Sequence, residues 1–324
     1  MDLHAALEEI EENIKTLQFP NSPKELYEPI TYILSLGGKR VRPLSVLMGC
    51  YLFSQKYLKA MPAAIAVEVF HNFTLVHDDI MDNAPIRRGK PTVHEKWNKS
   101  TAVLSGDVMQ SYSYRLLDNL PNEIVLPILR FLNIISIGVC EGQQLDMNFE
   151  NKKEVSVNQY LKMIELKTSV LLGASLKIGA MVAQAPEDDI ERLYKFGKNM
   201  GIAFQIRDDI LDVFGDEKKV GKRTGGDIVS NKKTILLLYA YELANSAQKK
   251  ELDYLTNHSH SIPNEEKITR MKEVYRELNV QQKAEQLIQN YYSEALQQIH
   301  AICSTCYEKE TIINFFSKLI GREY

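Results

Sequence analysis

Two copies of one acidic motif constrain this chain more than any other feature: Asp78-Asp79-Ile80-Met81-Asp82, preceded by His77, and Asp208-Asp209-Ile210-Leu211-Asp212. Each follows an apolar stretch without Gly or Pro, Ala63 to Val76 and Ile202 to Ile206, so both are expected on helices. At about 3.6 residues per turn, Asp78 and Asp82 share a helix face, as do Asp208 and Asp212. Carboxylates that close repel one another, and their placement beside apolar side chains must be offset by something positive. Hard divalent cations suit this: Mg²⁺ takes oxygen ligands, keeps several waters and is commonly shared between carboxylates and substrate phosphates. A merely solvated acidic face would be flanked by Lys and Glu, whereas these flanks are apolar. The pair points to two metal-binding helices facing one polyanionic substrate.

The rest of the chain must supply the countercharge locally, because its formal net charge is −3, the opposite of a nucleic-acid binder's basic footprint. With 324 residues, 44% hydrophobic, it can bury one large core or two modest ones. No uninterrupted apolar run approaches the roughly 18 residues of a membrane span, and Met1-Asp2-Leu3-His4 begins no signal peptide. A cytoplasmic protein without a membrane span is expected. The cysteines, Cys50, Cys140, Cys303 and Cys306, are too few and scattered for a disulfide framework. Cys303 and Cys306, with His300 nearby, lack the second ligand pair of a structural zinc site.

Apolar residues at three- and four-residue spacing predict helices over 3–17, 23–36, 43–55, 60–82, 101–118, 123–148, 156–183, 187–213, 232–245, 248–256, 265–278, 280–302 and 308–319. Breakers such as Gly37-Gly38, Pro85, Pro121, Pro186 and Pro263 fall between them, and no Gly/Ser- or Pro-rich linker does. One all-α domain over 1–324 is the expectation. The segment 123–148 ends in polar Glu141-Gly142-Gln143-Gln144-Leu145-Asp146, which reads equally as a third wall of the acidic site or as a solvated helix end.

Three basic clusters answer the need for countercharge. Gly37-Gly38-Lys39-Arg40-Val41-Arg42-Pro43 combines glycines, which let backbone N–H groups approach an anion, with Arg forks and a Lys point charge. Pro85-Ile86-Arg87-Arg88-Gly89-Lys90-Pro91 follows the first acidic motif directly. Lys218, Lys219, Lys222 and Arg223, then Lys232-Lys233-Thr234, follow the second. An acidic helix followed by a basic loop, twice, fits a diphosphate held between metal ions and cations, and no P-loop string is present.

Taken in order, GGKRxRP at 37–43, HDDxxD at 77–82, RRGxPT at 87–92, GD at 106–107, GQxxD at 142–146, KT at 167–168, QxxDDxxD at 205–212, GKxxGxD at 221–227 and KxT at 232–234 make the chain resemble the trans-type isoprenyl diphosphate synthases. A small departure is Trp97-Asn98, where that family more often has an aromatic followed by glycine. The resemblance implies an isoprenoid-synthase-type helical bundle around a central cavity. It implies three Mg²⁺ ions, with Mn²⁺ as the alternative that oxygen ligands also suit, and a homodimer. Asp78 and Asp82 would bind two ions, Asp208 with Asp212 nearby the third, and Asp79, Asp146 and Asp209 would orient water or cations. The allylic diphosphate would meet Arg87, Lys167, Lys222 and Lys232, while isopentenyl diphosphate would meet Gly38, Lys39, Arg42, His71 and Arg88. Thr168 and Gln205 would steady the allyl cation, and His77 reads as structural.

Chain length has a physical ruler. A growing prenyl tail would run alongside the helix bearing Asp78, with upstream residues as its floor. Phe73 and Phe70 lie three apart on a common face, and Thr74 is too small to close the tunnel higher up. In the family, an aromatic at the Phe73 position alone resembles twenty-carbon producers, so geranylgeranyl diphosphate is expected, with farnesyl diphosphate next and longer products behind. Two rivals differ in kind. A class I terpene cyclase would carry an Asn/Ser/Glu-type second motif, and a non-catalytic synthase subunit would have lost aspartates.

Overall fold

The structure is a computed structural model that describes residues 1–216, 224–257, 262–303 and 308–321. Its longer helices are α1 (Leu3–Lys15), α2 (Lys24–Ser35), α3 (Val41–Tyr51), α4 (Met61–Met81), α6 (Lys99–Arg115), α7 (Asn122–Asn151), α8 (Val157–Ile164), α9 (Val170–Val182) and α10 (Glu187–Phe214). They continue with α12 (Ile235–Leu243), α13 (Ser246–Asn257), α14 (Asn264–Glu277), α15 (Val280–His300) and α16 (Glu308–Ile320), while α5 (Val93–Lys96) and α11 (Gly226–Val229) are single turns. Among the described residues the strands are β1 (Ile86–Arg87) and β2 (Lys90–Pro91), paired antiparallel. The chain has the all-α fold that its periodicity implies. Its contacts divide it into two compact units, one of Met1–Ile135, Ala174–Tyr194 and Ile302–Thr311, the other of Ser136–Gly173, Lys195–Ala301 and Ile312–Tyr324.

In the first unit α4 is apolar on nearly every side and is therefore buried on nearly every side. Ala63, Ala64, Ala66, Val69 and Phe70 are wholly inaccessible, and Pro62 starts the helix where no intrahelical N–H is needed. Truncating Phe70 to Ala would cost about 3–5 kcal/mol. α3 and α6 pack against α4. α3 also meets α9 backbone to backbone: a Cβ on Gly49 would lie 2.2 Å from the Leu176 carbonyl oxygen, and one on Gly179 would lie 2.0 Å from that of Val46.

In the second unit the buried face of α10 runs Ile202, Ala203, Ile206, Ile210 and Val213, at the spacing of a helix stripe. α12 is buried along Ile235 to Ala240 and packs on α15. Phe196 meets Phe316 edge to face at 5.4 Å.

One expectation is corrected. The helix predicted over 156–183 is interrupted by a π turn, Glu165–Ser169, because side-chain periodicity does not register one extra residue inserted into a helix. α7 is long and apolar enough, by length and composition, to cross a membrane, but Arg130, Asn133 and Ser136 interrupt it, so it holds no uninterrupted apolar run of span length.

Candidate active site

The first acidic motif occupies the last turn of α4. Asp78 is half-buried, Asp82 is exposed at the helix end and Asp79 is fully buried. Asp79 accepts from Arg87 Nε at 2.9 and 2.8 Å and from Arg87 Nη2 at 2.7 Å, so Arg87 is tied back onto the helix it follows. The β1–β2 hairpin makes this possible. Arg88 (φ 51) and Gly89 (φ 73) are both left-handed, as a two-residue type I′ connection requires.

The hairpin in turn supports the glycine pair. Arg88 donates to the Gly37 carbonyl, and its guanidinium lies over Gly38, where a Cβ would come within 2.8 Å of Nη2. Gly38 also sits at φ 142, a conformation only glycine adopts easily. Two residues on, Arg40 is left-handed (φ 46) and buried, donating to Glu11 at 2.8 Å, to Glu68 at 2.5 Å and to the Leu34 carbonyl at 3.0 Å. Asn72 donates to Glu68 at 3.0 Å. Sequence reasoning gave Arg40 no role of its own. A signal was there in Glu68, the single polar side chain in the stretch 61–70 at the start of α4.

With Arg40 anchored inward, Lys39 stays exposed and Arg42 enters the first turn of α3. Arg42 Nη1 lies 3.0 Å from His71 Nε2, and Arg42 Nε is buried without a hydrogen-bond partner. Burial, with Arg42, Arg88 and Arg87 around it, holds His71 well below its ordinary pKa, so the ring is neutral and Nε2 accepts. Burial likewise brings the Arg42 guanidinium down to about 10, with the Glu68 charge opposing and Arg88 adding to the fall. Of the cations gathered around His71, Arg87 is paired with Asp79, while Glu68 acts on Arg42 and Arg88 by its charge without a hydrogen bond to either. His77 instead packs on Phe73 at 4.9 Å, with Nε2 at 3.1 Å from the Val103 carbonyl. Phe73 and Phe70 are buried with ring centroids 5.5 Å apart, and the Thr74 hydroxyl donates to the His71 carbonyl at 2.7 Å.

The second acidic motif ends α10. Asp209 is buried and accepts from the Tyr160 hydroxyl at 2.5 Å, the Ile235 N–H at 3.2 Å and Gln205 Nε2 at 3.4 Å. Burial nonetheless pushes its carboxyl up to about 6. Asp212 is buried and accepts the Asp227 N–H at 2.9 Å, pinning α11, while Asp208 is half-buried. On the π turn, Lys167 Nζ pairs with Asp146 at 2.8 Å and the Thr168 hydroxyl lies 3.4 Å from Gln205 Oε1. Gly142 permits this approach, since a Cβ there would lie 2.3 Å from the Lys167 nitrogen. The GQxxD and KT motifs are thus in contact. Lys232 is exposed on the turn after α11, and Lys222 lies outside the described residues.

The family model for polyprenyl synthetase matches residues 23–278, which contain every motif described above. The chain belongs to the polyprenyl synthetase family. It is 42% identical over 223 residues to the geranylgeranyl diphosphate synthase of Methanosarcina mazei, covering 68% of each chain. A crystal structure of a geranylgeranyl pyrophosphate synthase matches with TM-score 0.95 and 40% identity over the whole of both chains. A polyprenyl synthase from Caulobacter crescentus CB15, complexed with calcium and isoprenyl diphosphate, matches with TM-score 0.84 and 25% identity over 99% of this chain and 95% of that one. Like these polyprenyl synthetases, the chain is all-α.

The donor chemistry fits a divalent ion. Asp78 and Asp82 offer hard oxygen ligands one turn apart at a helix end that is open to solvent at Asp82. Among the described residues no three His, Cys, Asp or Glu side chains form a protein-only cage. An ion bound here would complete its shell from water and phosphate oxygens.

Proposed function

We propose that the protein condenses isopentenyl diphosphate with an allylic diphosphate to give a short-chain all-trans prenyl diphosphate, geranylgeranyl diphosphate. The observation that carries this reading is the Arg88 guanidinium, seated on the Gly37 carbonyl and over Gly38. It joins two basic turns into one anion-binding set with Lys39, Arg42 and His71. A terpene cyclase, which takes a single diphosphate, has no use for such a second set, and both acidic motifs are whole, unlike those of a non-catalytic subunit.

In the reaction the allylic C–O bond breaks, its carbon joins the terminal alkene carbon of isopentenyl diphosphate, and a proton leaves to the departing diphosphate. Divalent ions, Mg²⁺ or Mn²⁺ and three in number, would be held by Asp78, Asp82, Asp208 and Asp212 and would neutralise charge on the leaving group. Arg87, Lys167, Lys222 and Lys232 would bind the same diphosphate, and a preorganised set of this kind is often the largest catalytic term. Asp79 and Asp146 would hold Arg87 and Lys167 in place, and Asp209 would hold the end of α10 against Ile235. The Thr168 hydroxyl and the Gln205 amide oxygen would turn their dipoles toward the allyl cation. Phe73, with Phe70 behind it and small Thr74 beside it, would form the floor that stops the tail.

The chain would act as one polyprenyl synthase domain and as a homodimer. Exposed Leu126 and Ile134 on α7, two turns apart, support a partner surface there. A cytoplasmic location is supported by the free thiols of Cys50, Cys140 and Cys303.

Release of inorganic diphosphate tests the reaction class. It should require isopentenyl diphosphate, an allylic diphosphate and a divalent ion together. Rapid release from the allylic substrate alone would favour a cyclase.

A further inference from the structure

Behind the turn that carries Lys232, α14 buries Lys267 completely. Its Nζ donates to the carbonyl of Val229, the last residue of α11, at 3.2 Å and to Asn231 Oδ1 at 2.6 Å. Asn231 is left-handed (φ 55) and donates Nδ2 to the Thr256 carbonyl at 3.1 Å, so its amide bridges α14 and α13. The start of the same segment hangs on Asp212 through the Asp227 N–H, and the Lys232 N–H donates back to the Asp227 carbonyl at 2.9 Å. The turn from Asp227 to Lys232 is therefore clamped at both ends by buried polar groups.

Burying an ammonium is costly, and burial lowers the Lys267 pKa. A Met would fill the same volume without that cost. What the ammonium adds is direction: two acceptors on one turn are fixed at hydrogen-bond distance. We infer that Lys267 and Asn231 are positioning residues that set the turn presenting Lys232 to the allylic diphosphate. This rests on the assignment of Lys232 made above.

The test is the Michaelis constant for each substrate in Lys267→Met, Asn231→Gly and Lys232→Ala, singly and with each of the first two combined with the third. Glycine tolerates the left-handed backbone at 231, so that variant removes only the amide. Michaelis constants do not depend on the fraction of protein that folds, so lost material cannot mimic the effect. Lys267→Met and Asn231→Gly should each raise the constant for the allylic substrate about tenfold, the scale of a lost hydrogen bond to a charged group. The constant for isopentenyl diphosphate should stay put, and on the Lys232→Ala background neither change should add further loss. If Lys232→Ala impairs allylic binding but the other two do not, or if their effects add to it in full, the inference is overturned. If Lys232→Ala itself leaves allylic binding unchanged, the assignment of Lys232 fails and the inference fails with it. If Lys267→Met yields no folded protein, Asn231→Gly decides alone.

Discussion

Arg42 donates Nη1–H to Nε2 of His71 across 3.0 Å, and that bond exists only while the imidazole is neutral. His71 is held well below its ordinary value of 6.5 by burial and then by Arg42, Arg88 and Arg87. The unfolded chain takes up a proton near 6.5 and the folded chain does not. The stability this group contributes is therefore present above about pH 6.5 and lost as pH falls below it. Unfolding free energies measured from pH 7.5 to 5 should fall more steeply for the native protein than for His71→Gln. Parallel curves would contradict the assignment.

Asp79 and Arg87 form a second test, on stability. The carboxylate is 1% exposed and the guanidinium 26%, with three contacts of 2.7 to 2.9 Å between them. Removing one member of such a pair leaves a largely buried charge without its partner. Asp79→Ala should lower stability by about 3 kcal/mol in denaturant titration. An unchanged midpoint would show that the pair carries no weight.

The two anion sets separate kinetically. Arg88→Ala should raise the Michaelis constant for isopentenyl diphosphate about tenfold with little change for the allylic substrate, and Lys232→Ala should do the reverse. Equal effects of both variants on both substrates would dissolve the division.

Phe73 sets the floor in this account. Phe73→Ala should cost about 3 kcal/mol of stability and lengthen the product by at least one five-carbon unit, with Phe70 as the next stop. Products resolved by chain length decide it, and an unchanged distribution would place the floor elsewhere.

Much of this was legible in the sequence, and unevenly so. α4 could be read because a run from Ala63 to Val76 without a breaker has few other ways to bury itself, and the aspartates at its end followed from spacing alone. The π turn under Lys167 and Thr168 could not, since Glu165 to Ser169 carry helix-compatible side chains and the extra residue shows only in the backbone hydrogen bonding. The family resemblance gives Arg87 to the allylic diphosphate, and sequence alone does not show that two of its guanidinium nitrogens are committed to Asp79. Arg40 is harder still to read, because its partners Glu11 and Glu68 lie far away in the chain and only the lone carboxylate in an apolar stretch hints at a buried cation.

The most direct measurement is incubation of the purified protein with isopentenyl diphosphate, Mg²⁺ and each allylic primer in turn, with the products resolved by chain length. A twenty-carbon all-trans diphosphate as the end product is the predicted result. A fifteen-carbon end product would contradict the chain-length reading while keeping the reaction, and the absence of any condensation product with every primer would contradict the reaction itself.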